Sequence, residues 1–243
     1  MGDETAESYP PYPDSETTAF SGEGDEITDS FDLHNDGPLI LEVEHDGDGR
    51  FVAFAVDENE DFVPGGPTVQ ATGPYRGSSL HALAEGTYSL EIEASGEWAA
   101  TVHDVPAYED GTGLSLPIEQ PGELGGVIGP IDFGEPSETQ ITVEFSGDDE
   151  LNRAELITRE GEPVGALVGG RNDTIGGSDD DAETETAADD TDNDETSVDN
   201  EAESDTETSD AGSSETQVIS AGGVGYLSLE SSGEWTARVS NSE

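Results

Sequence analysis

Apolar residues recur at every second position through most of this chain. Leu39, Leu41 and Val43 do so, and so do Ile141, Val143 and Phe145. The same spacing joins Tyr88, Leu90 and Ile92, and again Trp98, Ala100 and Val102. Period two places one face of a strand on a core and the other in solvent. No segment sustains a helical period. Short alternating runs punctuated by Gly, Asp and Asn predict an all-β chain of sandwich or barrel type.

The alternation repeats. "TYSLEIEASGEWAATV" (87–102) lies over "VGYLSLESSGEWTARV" (224–239) at an offset of 137 residues. "SFDLHNDGPLILEVEHDGD" (30–48) lies over "PIDFGEPSETQITVEFSGD" (130–148) at an offset of 100, and "AFAVDENEDFV" (53–63) over "AELITREGEPV" (154–164) at 101. The pattern implies two tandem, jelly-roll-like β-sandwich domains from an internal duplication. The difference between the offsets leaves the second copy about 36 residues longer. The excess is the acidic stretch within 172–213, whose Asp, Glu, Thr, Ser and Ala cannot bury enough apolar surface to order. The expected layout is a Pro-rich disordered tether (1–19), domain 1 (20–107), a linker (108–123), and domain 2 (124–171 plus 214–243) interrupted by the disordered insert.

Both Trp residues lie in the recurring tetrapeptide SGEW, at Ser95–Trp98 and Ser232–Trp235. Parity suggests a three-residue hairpin turn that sets Trp98 opposite Ile92 and Trp235 opposite Leu229. Gly96 and Gly233 would supply a left-handed final turn residue. Both Trp side chains are then core, and their emission should report the folding of each sandwich separately.

Charge changes the picture of the surroundings. There are 59 acidic residues against 6 basic ones, a net charge of -53, and every basic residue is Arg. Such a surface repels itself in dilute buffer, whereas at 1 M salt the Debye length is about 3 Å. The chain reads as halophilic, and a monomer is expected. No basic patch exists to displace counterions, so nucleic acid is excluded as a partner. No apolar run reaches the ~20 residues of a membrane span. With no Cys there is no disulfide and no thiolate chemistry.

"GDEITDSFDL", "HDGDGRFVAFAVDENED" and "GPYRGSSLHALAEGTYSLEIEASGEWAATV" resemble β-sandwich repeats of haloarchaeal secreted proteins and surface lipoproteins. These are similar to bacterial pre-peptidase C-terminal-type accessory domains. The first copy carries the resemblance throughout. The second lacks the "GPY" element and has Gly225 where the first has Tyr88. "MGDETAESYPPYPDSETT" resembles the tether after a lipidated Cys. The resemblance implies a cell-surface or extracellular setting, with other envelope proteins or surface glycans as partners, and it brings no catalytic residues. A cytoplasmic protein whose acidic loop recruits basic partners is the alternative for localisation.

Candidate chemistry is sparse. The standard hydrolase, P-loop and zincin motifs are absent, so no enzyme is expected. In "HDGDGR" (45–50), Asp46 and Asp48 have the alternating spacing by which oxygens reach Ca²⁺, and a plain Asp-Gly turn is the rival reading. His45 aligns with Phe145 and so takes an apolar-facing place. Asn172 heads the one N-x-[ST] sequon, a glycosylation candidate on export. Tyr75 and Tyr88 could stack on a sugar, although Tyr88 shares the Trp98 face. The expected function is a non-catalytic display, spacing or adhesion module, with carbohydrate or Ca²⁺ binding as the alternative.

Overall fold

A computed structural model describes residues 12–59, 61–63, 68–145, 151–167 and 214–242, all within one compact unit. The insert and Asn172 lie outside the described residues. The protein is all-β, with sixteen strands among them.

The first module is built from β1 (Glu16–Glu23), β2 (Glu26–Ile27), β3 (Phe31–Leu33), β4 (Leu39–His45), β5 (Arg50–Asp57), β6 (Thr68–Thr72), β7 (Tyr75–His81), β8 (Gly86–Ala94) and β9 (Glu97–Asp104). One sheet has the order β1-β9-β4-β7, and the other the order β2-β8-β5-β6 with β3 also on β8. The period-two residues of both sheets face inward. Leu41, Val43, Trp98 and Val102 from the first meet Phe51, Leu90, Ile92 and Phe31 from the second in one buried core.

The second module contains β10 (Leu114–Ser115), β11 (Ile118–Glu123), β12 (Gly126–Phe145), β13 (Leu151–Thr158), β14 (Pro163–Leu167), β15 (Ser214–Ser231) and β16 (Glu234–Asn241). Its strands form one sheet of order β11-β16-β12-β15-β13-β14, with β10 on β12. This sheet is the first sandwich with two loops zipped shut. The first half of β12 pairs with the second half of β15, and the second half of β12 with the first half of β15. Between the halves, Gly134 pairs with Gly223 amid register shifts, both at φ 68. A left-handed glycine on each strand lets the ladder bend from one layer into the other.

Register repeats as closely as sequence. Phe31 pairs with Tyr88 and Ile131 with Gly225; Ala55 pairs with Leu90 and Leu156 with Leu227; Gly22 pairs with Trp98 and Gly122 with Trp235. The offsets are the 100, 101 and 137 residues found in the sequence.

The structure departs from expectation at both SGEW sites. β8 and β9 do not pair: β8 lies in one sheet with β5, and β9 in the other between β1 and β4. Likewise β15 pairs with β12 and β13, while β16 pairs with β11 and β12. SGEW is therefore a corner between sheets. Trp98 sits opposite Gly22 and His45, and Trp235 opposite Gly122 and Phe145. A corner and a hairpin both turn Ile92 and Trp98 into one core, so parity alone could not separate them. Gly96 and Gly233 are not among the left-handed glycines. Gly96 is required by crowding, since a Cβ there would lie 2.7 Å from Gly47 Cα.

The modules begin earlier than composition suggested. β1 starts at Glu16, inside the expected tether, and the expected linker holds β10 and β11. Pro121 is tolerated in β11 because that strand pairs only with β16 and forms the sheet edge.

A third apolar cluster seals the modules together. Tyr12, Ile40, Leu80, Val105 and Tyr108 from the first side meet Ile157, Val224 and Tyr226 from the second, with Val127 packed on them. The Tyr108 hydroxyl donates to the Pro13 carbonyl, which straps the N-terminal segment across the seam. The Arg159 guanidinium donates to the Tyr108 carbonyl at 3.1 Å. The two sandwiches share a buried interior.

Candidate functional site

Beside this seam one edge of the first sandwich faces the second module. β6 and β7 are edge strands, and across from them lie Arg153, Glu155 and Ile157 of β13 and Ser228 and Glu230 of β15. Between them is a cleft of about 670 Å³ whose lining is mixed: Val69, Ala71, Pro74 and Leu80 beside Gln70, Ser79 and Glu230. Arg153 is held by Glu155 at 2.6 Å. The Ser79 hydroxyl is buried and has no hydrogen-bond partner in the protein.

Tyr75 bridges the cleft floor. Its ring packs against the first core, and its hydroxyl lies beside Gly77 and Gly125, where any Cβ would collide with it. Burial, reinforced by the negative charge of Glu230, pushes its phenol up to about 12. Wedged against Gly77 and Gly125, Tyr75 acts as a strut between the two modules. Tyr88 is half-buried against Phe31 and donates to the Ala84 carbonyl at 3.0 Å.

Trp98 and Trp235 are buried, and each indole N–H finds the same partner. Trp98 donates to Gly24 O and Trp235 to Leu124 O, both at 3.0 Å. Gly24 and Leu124 are counterparts, at φ 75 and 56. The Gly24 and Leu124 N–H groups in turn donate to the carbonyls of Gly96 and Gly233. The two SGEW glycines thus close one bonding circuit twice.

Asp46 is engaged in the same region. Its Oδ1 accepts the Glu97 N–H at 3.0 Å and its own N–H donates to Glu97 O, so the carboxylate braces the corner. The Gly49 N–H donates to Ser95 Oγ at 2.9 Å. Among the described residues, Asp46 and Asp48 are not joined by a third carboxylate or His in an arrangement that could hold a metal ion. His45 is buried, 5.0 Å from the Phe51 ring, with Nδ1 3.0 Å from Gly73 O. His103 lies 3.1 Å from Glu42 and is covered by Tyr12 edge-on at 5.0 Å.

Other acids are equally occupied. Asp104 is buried and accepts from the His34 and Asn35 N–H groups at 2.8 and 3.4 Å. Asp57 accepts the Asn59 and Asp61 N–H groups, which holds its carboxyl below the usual range. Five Arg fall among the described residues, and each is ion-paired. Arg50 meets Glu93 at 2.9 Å, Arg76 meets Glu44 at 2.9 Å, and Arg159 meets Glu160 at 2.8 Å. Arg153 has Glu155, and Arg238 is shared between Glu119 and Glu144. Sequence reasoning missed the cleft because its walls come from β7 and β15, strands about 150 residues apart that only the seam brings together. No protein-family model matches this chain, and no curated protein matches it.

Proposed function

We propose that this chain is a non-catalytic display or spacing module of a cell envelope or secreted assembly, working in molar salt. The observation that carries the reading is the state of its charges. Every described Arg is held by a carboxylate, so the described surface offers partners acidic groups in large excess and no unpaired Arg. The polar side chains with defined partners brace turns and corners instead of converging on a reacting atom. A chain of this charge is suited to staying compact and unaggregated where salt is concentrated. Descent of the two modules from one duplicated unit accounts for the repeated register. Antibodies raised against the chain should label intact cells of its source, or the medium around them. Labelling that requires permeabilised cells would overturn the reading.

The cleft favours a second reading, a binding module for a neutral polar ligand such as a saccharide. Its mixed lining of Gln70, Ser79, Tyr75 and aliphatic residues supports this. A glycan array in molar salt tests it, and no retained glycan would remove it. Calcium binding is not carried forward, because among the described residues no third carboxylate or His stands with Asp46 and Asp48.

A further inference from the structure

Four large apolar residues stand exposed on the described surface: Ile27, Phe62, Val164 and Val218. Single exposed aliphatics are ordinary. The places of three of them, Ile27, Phe62 and Val218, in the repeat are not. Ile27 pairs with Glu91 in the first module, and the same register position in the second is Val127 paired with Ser228. Val127 packs against the seam. Phe62 pairs with Val56, and the matching pair is Pro163 with Ile157, where Pro163 lines the cleft and Ile157 is in the seam. Val218 pairs with Gln140, and the matching pair is Leu80 with Ile40, both in the seam.

The seam joins one face of the first module to a different face of the second. The repeat therefore leaves one copy of each face outside the seam, with Val56, the counterpart of Ile157, already covered within its own module. Ile27 and Phe62 lie on the first module's copy of the face that the second module uses. Val218 lies on the second module's copy of the face that the first module uses. The edge evidence agrees. In the first module the β7 backbone is engaged from across the seam, with Ser78 N–H donating to Gly125 O at 3.2 Å. Its counterpart, the first half of β15, has β12 on one side and no strand paired along the other among the described residues. An edge of this kind is open to a further partner.

We propose that the two free faces meet between copies of this chain, so that the second module of one copy docks on the first module of the next, head to tail. A heterologous contact of this kind does not close on itself after two copies, and it extends into chains of copies. The contact is weaker than the seam. Gln140 stands where the seam has Ile40, Ser89 where it has Tyr226, and the strap carried by Tyr12 is not duplicated. Glu91 lies directly across from Ile27, and Glu138 lies two residues from Gln140 on the same face as Val218, so like charges oppose contact until salt screens them. Association is thus reversible, concentration-dependent and confined to molar salt, in place of the expected monomer. It would apply in any compartment, and it stands or falls separately from the envelope reading.

Sedimentation in molar salt over a wide concentration range tests this on the full chain. The wild type should rise from the mass of one chain through two to larger species without stopping at two. Ile27→Gln and Val218→Gln, at residues 47% and 48% exposed, should each remain at the mass of one chain with unchanged Trp emission. An equimolar mixture of the two variants should recover association but stop at two copies, because each variant keeps one intact face. Wild type that stays at one chain throughout would overturn the proposal. So would wild type that saturates at two, single variants that associate like wild type, or folded variants whose mixture stays monomeric.

Discussion

Replacing Gly122 by Ala inserts a methyl group beneath the Trp235 ring. Gly122 pairs directly with Trp235 across β11 and β16, and its added Cβ would press closest on Cζ2 and lie 2.5 Å from Cη2. Carbon atoms in contact prefer about 3.5–4.0 Å, so the ring or the strand must retreat by more than about 1 Å. Trp235 is 5% exposed and is enclosed by Phe145, Leu229 and Ile128 in its core, which leaves it little room. Overpacking of this kind costs about 1–3 kcal/mol. A retreating indole also lengthens its bond to Leu124 O, worth about 1 kcal/mol. Gly122 is not left-handed, so backbone strain adds nothing. The sum is roughly 2–4 kcal/mol, or roughly 4–15 °C in melting temperature for a folded unit of this size. Thermal melting in molar salt, followed by Trp emission, measures it. Gln120→Ala, two residues earlier on the same strand and exposed, is the control and should shift melting by less than about 2 °C. Gly22→Ala should behave like Gly122→Ala, since Gly22 lies under Trp98 in the same way. Melting of Gly122→Ala within a degree of wild type would refute the close contact.

Tyr226→Phe should be neutral or stabilising by up to about 1 kcal/mol near neutral pH, because the Tyr226 hydroxyl is buried with no partner in the protein; a clear loss in chemical denaturation would show that the hydroxyl is bonded. Raising the pH should unfold the protein through its tyrosines. Burial raises Tyr75 to about 12 and Tyr12 and Tyr226 higher still, so their stabilisation is intact below the unfolded value of about 10 and is lost as pH climbs toward 12. Melting temperatures that stay flat from pH 9.5 to 11.5 would contradict this. Asp46→Ala should cost about 1 kcal/mol by freeing the Glu97 amide, whereas Asp46→Asn, which keeps an acceptor oxygen, should cost less. Equal losses for the two in urea titration would assign the effect to charge instead.

Much of the fold was legible because period two states which residues face the core. Leu90, Ile92, Trp98, Ala100 and Val102 all reach the interior as their parity requires. Parity does not state which sheet a strand joins, so the SGEW corner read as a hairpin. β11 was lost because its match to β1 rests on the Gly-Glu pair at 22–23 and 122–123, too short to stand out, with Pro121 beside it. Tyr12 lies in a Pro-rich run that composition assigns to a tether, yet its ring is buried against His103. The seam and the cleft were illegible for a common reason. They are assembled from the outward faces of both modules, where Ile40, Leu80, Ile157 and Tyr226 fall out of phase with the inward alternation. Ile40, between Leu39 and Leu41, is the visible sign that β4 is buried on both faces.

That seam seals the two sandwiches into one body, and the proposed halophilic setting requires salt to keep it compact. Single-Trp variants examine both points together, with Trp235→Phe leaving Trp98 to report the first module and Trp98→Phe leaving Trp235 to report the second. Both should emit in the blue in molar salt, since each indole is buried. On dilution toward low-millimolar salt, both should shift red at one common midpoint, because neither sandwich can open without exposing the shared cluster of Tyr12, Ile40, Leu80 and Tyr226. Two well-separated midpoints would contradict the seam, and blue emission from both that persists without salt would contradict the dependence on screening.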